Sequence, residues 1–317
     1  MTSDKLITVL MLGGARRVSM AELLMQSGKQ LGHHVRILSY ELQPQVPIAA
    51  VADVIVGKKW SDADVVDDLV SLAEREKVDI ILPFVDGAIE IAARCAIRLP
   101  HVFVPVSPDD VAATMFDKIA AAKAFKDAEI PIPTTYSALT AEMPAIAKPR
   151  HGSASRGIKV FHNIEDLMHL EGISDYLVQE YIDQREEYTV DCYVTAGGDI
   201  LCTVPRLREE VMGGEVTRTR TCKLPVVEEM SRKVLEAFEL RGPVTLQFLH
   251  DTTRDRFLLM EVNPRLGGGV VCSIYAGAPI ADYILKESMG QKLNRCDDWM
   301  PNTLMARYQK EVIFYDR

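Results

Sequence analysis

From residue 258 to residue 265 the chain reads Leu258-Leu259-Met260-Glu261-Val262-Asn263-Pro264-Arg265, and Gly267-Gly268-Gly269 follow almost at once. The apolar run that ends at Met260 predicts a buried strand, yet the segment continues into a carboxylate, an amide and a guanidinium. Side chains alternate between the two faces of a strand. We therefore expect Glu261 and Asn263 to point to one side of the strand and Val262 to the other.

A carboxylate at Glu261 needs a partner, because burying an unpaired charge costs several kcal/mol or more. A hard cation with oxygen ligands is the simplest partner, and Mg²⁺ binds carboxylates together with substrate phosphates. Arg265 lies just beyond the strand, where its guanidinium can bind a phosphoryl oxygen. The segment therefore predicts a metal and phosphate site.

Gln247 is a polar residue inside a second apolar run, Val244–Leu249. A buried amide on a strand needs a hydrogen-bond partner. If the two strands are neighbours, Gln247 lies across from Glu261 and completes a metal or phosphate shell. The alternative is an amide that is hydrogen-bonded within the protein core.

A loop of small residues follows Lys148 and reads His151-Gly152-Ser153-Ala154-Ser155-Arg156-Gly157. Glycine and serine let backbone N–H groups approach a phosphate closely. The glycine spacing resembles a P-loop, but the loop continues into Ile158-Lys159 and a strand pattern, where a P-loop requires Lys-Ser or Lys-Thr and a helix. The sequence predicts either a hairpin lid over phosphates or a solvated hairpin tip.

Several other polar residues allow two interpretations each. Lys118 lies on an Ala-rich helix and is either a phosphate ligand or solvated. The strand end Gln179-Glu180-Tyr181-Ile182, with Glu187 a few residues later, either pairs with a purine edge or forms an acidic turn. The arginines 206, 208, 218 and 220 either bind an anionic substrate group or form a solvated basic face.

The composition limits the classes of function. The 317 residues carry a net charge of −9, which argues against a broad basic surface for nucleic acid. No apolar stretch approaches the ~20 residues that span a bilayer, and no signal peptide is visible. The six scattered cysteines predict reduced thiols and a cytoplasmic protein.

The first ~105 residues alternate strand and helix patterns, which predicts an α/β domain with a parallel sheet. After Pro105 the pattern changes to helices and hairpins, typical of an α+β region. The turn Gly13-Gly14-Ala15-Arg16-Arg17 follows the first strand but lacks the Gly-x-Gly-x-x-Gly fingerprint. An NAD-dependent oxidoreductase is therefore a fallback that depends on the N-terminal pattern alone.

Taken in order, these motifs resemble the ATP-grasp superfamily, and within it the short-chain proteins similar to one half of the carbamoyl-phosphate synthase large subunit. The resemblance covers essentially the whole chain, and Glu-x-Asn-Pro-Arg with its upstream glutamine is the most specific part. It implies a Rossmann-like pre-ATP-grasp domain over residues 1–105. A central subdomain with the lid would follow at 106–182, and a C-terminal subdomain with the metal site at 183–317.

The resemblance also implies a role for each matching residue. Gln247, Glu261 and Asn263 would hold one or two Mg²⁺, with Mn²⁺ as a substitute. Arg265, Lys148 and Arg156 would act in catalysis, while Arg206, Arg218, Arg220, Gly267 and Gly268 would contact the substrate. ATP would be bound by Lys118, Lys148, Gly152, Ser153, Ser155, Gly157, Gln179, Glu180, Tyr181, Ile182 and Glu187.

The resemblance implies an ADP-forming ligase that activates a small carboxylic acid as an acyl phosphate and joins it to an amine. Phosphoryl transfer needs charge neutralisation and alignment more than an enzyme nucleophile. The alternatives are a bicarbonate-activating enzyme and a non-catalytic ATP-binding protein. The resemblance also suggests a homodimer that binds small-molecule substrates and binds neither nucleic acid nor a membrane.

Overall fold

The structure is a computed structural model and describes residues 5–152 and 156–315. Its N-terminal part is an α/β layer whose four parallel strands lie in the order β3-β2-β1-β4. The elements of this layer are β1 (Leu6–Leu12), α1 (Val18–Gln30), β2 (His34–Glu41), β3 (Asp53–Val56), α2 (Val65–Glu76), β4 (Ile80–Pro83) and α3 (Gly87–Arg98). The predicted parallel sheet is thus confirmed.

Both faces of β1 are buried, which explains its uninterrupted apolar sequence. Ile7, Val9 and Met11 pack against residues of α1 and of a helix near the C-terminus, whereas Leu10 and Leu12 pack against α2 and α3. The turns after β1 and β4 therefore emerge together at the carboxyl edge of the sheet, the edge at which α/β sheets bind ligands.

The rest of the chain contains two antiparallel sheets. The smaller has the strand order β5-β8-β6-β7 and the larger β13-β12-β9-β10-β11-β14. Their strands are β5 (Thr135–Tyr136), β6 (Ala145–Pro149), β7 (Lys159–Phe161), β8 (Tyr176–Glu180), β9 (Arg185–Val194), β10 (Ile200–Met212), β11 (Glu215–Thr221), β12 (Gly242–Asp251), β13 (Arg256–Asn263) and β14 (Leu304–Ala306). The helices are α4 (Asp109–Phe116), α5 (Lys118–Asp127), α6 (Ile164–Met168), α7 (Pro225–Ala237), α8 (Val270–Tyr275) and α9 (Ile280–Ser288).

Three predicted elements are wrong in extent. The Ala-rich pattern predicted one helix from 115 to 128, but the chain forms α4 and α5 instead. Asp117 separates them because its backbone is extended and its carboxylate accepts hydrogen bonds from the amides of Ile119 and Ala120, as an N-cap does. The apolar run Val102–Val104 predicts a strand but forms a single bridge at Phe103, and the run Leu304–Phe314 predicts a closing strand that in the structure ends at Ala306.

The C-terminal part of the chain packs back onto the N-terminal layer. Helix α9 lies against α1, where Ser27 donates a hydrogen bond to Asp282. Residues of the six-stranded sheet line one cavity together with residues of the sheet β5-β8-β6-β7 and of the carboxyl edge of the parallel sheet. Among the described residues, no helix is long and apolar enough to cross a membrane.

Candidate active site

A cavity of about 860 Å³ lies where the three sheets meet. Asp86 follows the last strand of the parallel sheet, and Lys148 belongs to the antiparallel sheet β5-β8-β6-β7. The six-stranded sheet contributes Gln247 and Glu261. This volume is within the usual range for small-molecule sites, which are commonly concave and lie between domains.

Two amides converge on one carboxylate oxygen at the floor of the cavity. Gln247 Nε2 lies 2.7 Å from Glu261 Oε1, and Asn263 Nδ2 lies 2.9 Å from the same oxygen. Strands β12 and β13 are antiparallel and pair Gln247 directly with Glu261. Because Asn263 is two residues beyond Glu261 on the same strand, all three side chains project from one face, as the alternation predicted.

Lys148 approaches the cavity from the four-stranded sheet. Its Nζ lies 3.0 Å from Gln179 Oε1, and Gln179 is itself buried and held by the carbonyl of Pro133. Burial lowers the pKa of Lys148 to about 8, although the negative charge of Glu261 acts in the opposite direction. The side chain of Gln179 thus faces away from this cavity and orients the lysine, whereas the sequence had placed Gln179 against the nucleotide.

The predicted adenine segment lies along the cavity wall. Glu180, Tyr181 and Ile182 all line it, at the point where β8 ends. The Glu180 carboxylate is fully occupied, since one oxygen accepts from Thr134 and the other from Arg254 and Arg256. Glu180 can therefore contact a ligand only through its backbone.

Glu187 lines the cavity and lies on β9, two residues from Thr189, the residue that pairs with Gln247 on β12. Its carboxylate lies 3.4 Å from Arg185 Nε and 3.4 Å from Arg208 Nε. Both contacts are long for charge-assisted hydrogen bonds, which are commonly 2.7–2.9 Å. The Glu187 oxygens are therefore weakly engaged and face the cavity.

Arg265 forms an ion pair with a residue of the N-terminal part of the chain. Its Nε lies 2.6 Å from Asp86 Oδ1, and Nη2 lies 3.3 Å from Asn263 Oδ1. Asp86 stands at the carboxyl edge of the parallel sheet, immediately before α3. The ion pair therefore connects the edge of one domain to the amide that neighbours Glu261 in the other.

A second ion pair crosses the same boundary. Arg17, in the turn after β1, binds Glu215 at 3.0 Å, and Arg307 binds the same carboxylate at 2.5 Å. Burial acts to raise the pKa of Glu215, but the two arginines outweigh it and lower the pKa to about 2. Gly268 lies against this cluster, because a Cβ there would stand 3.0 Å from Arg17 Nη1.

Arg206 is not available to a substrate in the way that the sequence suggested. Its side chain is 1% exposed and binds Asp191 at 2.7 Å and 3.2 Å, while Nη1 binds Thr219 Oγ1 at 3.1 Å. Gly269 packs against the guanidinium. A buried pair of this kind is structural, and removal of one partner typically costs about 3–5 kcal/mol.

Arg218 and Arg220 were also predicted to contact substrate, and the structure contradicts this. Both bind Glu209, at 2.8 Å and 2.7 Å, and they share one face of β11 as expected. Thr219 between them points to the opposite face and reaches Arg206. Because the cavity lies on the side of Thr219, neither arginine is among the described residues that line it.

The structure describes residues 151, 152, 156 and 157 of the small-residue loop. Ser153 and Ser155 lie outside the described residues. Gly152 and Arg156 line the cavity, whereas Gly157 packs near Pro149 and is not part of the described lining. Lys118, the first residue of α5, donates to the carbonyl of Gly152 at 2.6 Å and also lines the cavity.

Sequence reasoning missed the contribution of the N-terminal domain. Arg17, Trp60 and Asp86 line the cavity, and the first and last of these belong to turns that follow parallel strands. The rule that α/β sheets bind ligands at their carboxyl edge could have identified these turns. No local motif could have paired Asp86 with Arg265, which is 179 residues away.

Comparisons with known proteins agree with this geometry. A family model described as ATP-grasp in the biosynthetic pathway with Ter operon matches residues 173–311. The methylcrotonoyl-CoA carboxylase subunit alpha of Glycine max is 24% identical over 144 residues. That alignment covers 39% of this chain and only 19% of the carboxylase subunit.

Solved structures match nearly the whole fold. The biotin carboxylase domain of the Hydrogenobacter thermophilus 2-oxoglutarate carboxylase, solved with MgADP, ADP and bicarbonate, superposes with a TM-score of 0.74 at 17% identity and covers 94% of this chain and 73% of that one. The Staphylococcus aureus N5-carboxyaminoimidazole synthetase bound to ADP gives a TM-score of 0.71 at 18% identity, with coverages of 95% and 80%.

The chain therefore has the fold of these nucleotide-bound enzymes, and its residues 173–311 match an ATP-grasp family model. The predicted fold class, an α/β region followed by an α+β ATP-grasp region, is confirmed, and the predicted superfamily agrees with the family match over residues 173–311. The narrower likeness to one half of carbamoyl-phosphate synthase stays a prediction, as do the domain boundaries.

The unusual pKa of Lys148 gives a testable pH dependence. A bound phosphate favours the charged lysine, so above a pKa of about 8 binding must take up a proton. We expect the affinity for Mg·ADP to fall as pH rises from 8 to 10, by up to about tenfold per pH unit. Calorimetry in two buffers that differ in ionisation enthalpy measures the proton uptake directly.

Lys148→Arg is the matched control, because a guanidinium stays charged throughout this range. It should bind Mg·ADP without the alkaline loss of affinity. An unchanged pH profile in Lys148→Arg would show that another group titrates.

Proposed function

We propose that the protein is an ATP- and Mg²⁺-dependent carboxylate–amine ligase that activates a small carboxylic acid as an acyl phosphate and releases ADP and phosphate. The observation that carries this proposal is the convergence of Gln247 and Asn263 on the Glu261 carboxylate, in a cavity that also receives Lys148. Nucleotide-bound relatives of the same fold support the nucleotide.

The donor set fits a metal that arrives with the nucleotide. Glu261 supplies a carboxylate, and Gln247 and Asn263 supply amide oxygens. Among the described residues, no group of three or more His, Cys, Asp or Glu could form an all-protein cage. Mg²⁺ commonly binds through one or two carboxylates plus substrate phosphates and waters, and Mn²⁺ accepts the same ligands. When bound, the metal would neutralise charge that develops on the phosphates.

The nucleotide would lie between the two antiparallel sheets. Lys118 and Lys148 would contact its phosphates, the backbone at Glu180 and Ile182 would face the adenine, and Glu187 would accept the ribose hydroxyls. The reaction that suits these groups is phosphoryl transfer, because it depends on charge neutralisation and alignment. Exclusion of water would protect the acyl phosphate until the amine arrives.

The acid would bind at the N-terminal end of the cavity. Arg265 stands between the Glu261 cluster and the parallel sheet, so it can contact both a transferred phosphoryl group and an acid carboxylate. Arg17 and Asp86 present opposite charges at this end, and Trp60 adds an aromatic wall. A small acid that also carries an amino group suits these neighbours.

Bicarbonate is the second candidate acid. It is favoured by one finding, since the biotin carboxylase domain of similar fold was solved with a bicarbonate anion. A non-catalytic ATP-binding protein would leave the alignment of Arg265 with Glu261 unexplained. The cytoplasmic location and the homodimer stay predictions.

ADP formation separates these candidates. We would incubate the protein with Mg·ATP and pools of amino acids and other small acids, with and without bicarbonate and ammonia. ADP release that requires an organic acid and an amine supports the ligase, and release that requires only bicarbonate supports the second candidate. Absence of release with any pool, despite tight Mg·ATP binding, would contradict both.

Glu261→Gln tests the metal assignment. The change keeps the size of the side chain but removes the charge that the metal needs. We expect Mg²⁺-dependent ADP formation to fall by at least about 10²-fold. The thermal unfolding midpoint should change little. Glu229→Gln, an exposed change on α7, is the control, and normal turnover by folded Glu261→Gln would refute the metal site.

Arg265→Ala tests the assignment to the transition state. A group that binds the reacting phosphoryl more strongly in the transition state than in the ground state should affect rate more than affinity. We expect kcat for ADP formation to fall about 10²-fold while the Kd of Mg·ATP changes by less than about threefold. A loss confined to Mg·ATP binding would count against this role.

A further inference from the structure

Arg208 is a buried cation beside the cavity with poor partners. Its side chain is 9% exposed, and it lines the cavity. Its Nε has no hydrogen-bond acceptor among the described residues, and Nη1 and Nη2 reach Thr189 Oγ1 and Gly214 O only at 3.4 Å and 3.3 Å. A buried polar group left unsatisfied destabilises the protein, and more so when it is charged.

Other arginines of the cavity show what full pairing looks like in this protein. Arg206, two residues earlier on the same face of β10, has Asp191 at 2.7 Å. Arg265 and Arg17 have carboxylates at 2.5 Å and 3.0 Å. The nearest carboxylate to Arg208 is Glu187 at 3.4 Å, without hydrogen-bond geometry at Nε. Of these four guanidinium groups, Arg208 therefore has the longest contact with a carboxylate.

The position of Arg208 indicates which part of a ligand it would meet. Arg208 on β10 and Lys148 on β6 both line the cavity, and Arg208 Nε lies 3.4 Å from a carboxylate oxygen of Glu187. Two cations thus line the cavity from different sheets, together with the carboxylates of Glu187 and Glu261. An anion between them is bridged by both, next to the metal ligand Glu261. The N-terminal end, where the acid would bind, lies beyond Arg265.

We propose that Arg208 binds the terminal phosphoryl group of the nucleotide, opposite Lys148, and that its unsatisfied Nε is the donor reserved for a phosphate oxygen. This inference rests on the proposed function. The inference gives a ligand-binding role to Arg208 on β10, a residue that belongs to no local sequence motif. A planar guanidinium suits the role because it can donate two parallel hydrogen bonds to a phosphate.

The test compares two nucleotides that differ by the phosphoryl group concerned. Calorimetry would give the Kd of Mg·ADP and of Mg·AMP-PCP, the non-hydrolysable β,γ-methylene analogue of ATP. For Arg208→Gln we expect the Kd of Mg·AMP-PCP to rise about 10- to 100-fold, while that of Mg·ADP rises by less than about threefold. Arg208→Lys, which keeps the charge but loses the fork, should give an intermediate ratio.

Arg232→Gln is the matched control. Arg232 Nε is also buried without a hydrogen-bond partner, but it lies on α7, outside the described lining of the cavity. This change should leave the ratio of the two Kd values unaltered. Equal weakening of both nucleotides by Arg208→Gln, or no weakening of either, would overturn the assignment to the terminal phosphoryl. If Arg208→Gln does not fold, the ratio in Arg208→Lys decides.

Inorganic phosphate separates this inference from the proposed function. It can be titrated into the nucleotide-free protein, so the result does not depend on the acid or even on nucleotide binding. Weaker phosphate binding in Arg208→Gln than in Arg232→Gln supports the anion site. Equal phosphate binding in the two variants contradicts it. Failure of the unaltered protein to bind either nucleotide would refute the proposed function, whatever the phosphate result.

Discussion

The pairing of the half-buried Glu261 carboxylate is the constraint on which the rest of the site depends. A charge on a strand of the central sheet must be paired or hydrogen-bonded. The chain answers with two amides, one supplied across the β12–β13 pair and one along the same strand. These amides satisfy one oxygen and carry no charge themselves, and in the proposed function a metal cation supplies the opposite charge.

The second constraint is a pair of ion pairs between the N-terminal and C-terminal parts of the chain. The pairs Asp86–Arg265 and Arg17–Glu215 both connect the carboxyl edge of the parallel sheet to the C-terminal region. Through Arg265 the first pair reaches Asn263, and so the Glu261 cluster. A ligand that displaced the Asp86 carboxylate from this ion pair would therefore change the position of the Arg265 side chain. The boundary between the domains is thus part of the site, and the acid and the nucleotide would meet there.

Local rules were enough to predict the centre of the site but not its surroundings. Strand alternation placed Glu261 and Asn263 on one face, and a polar residue within an apolar strand pattern indicated Gln247. Each of these inferences involves neighbours on one or two strands. The arginines 206, 218 and 220 could not be sorted from sequence, since their roles depend on which face of β10 and β11 meets the cavity and on partners such as Asp191. The break at Asp117 was missed because helix propensity outweighed capping in the pattern. Asp86 was missed because its partner is remote in the chain.

The most direct measurement is a crystal structure of the protein with Mg·AMP-PCP. The proposed function predicts that the phosphates lie between Lys148 and Glu261, with the metal on Glu261 and Asn263 and the adenine beside Ile182. A nucleotide bound instead along the Gly13–Arg17 turn, or a metal remote from Glu261, would contradict it.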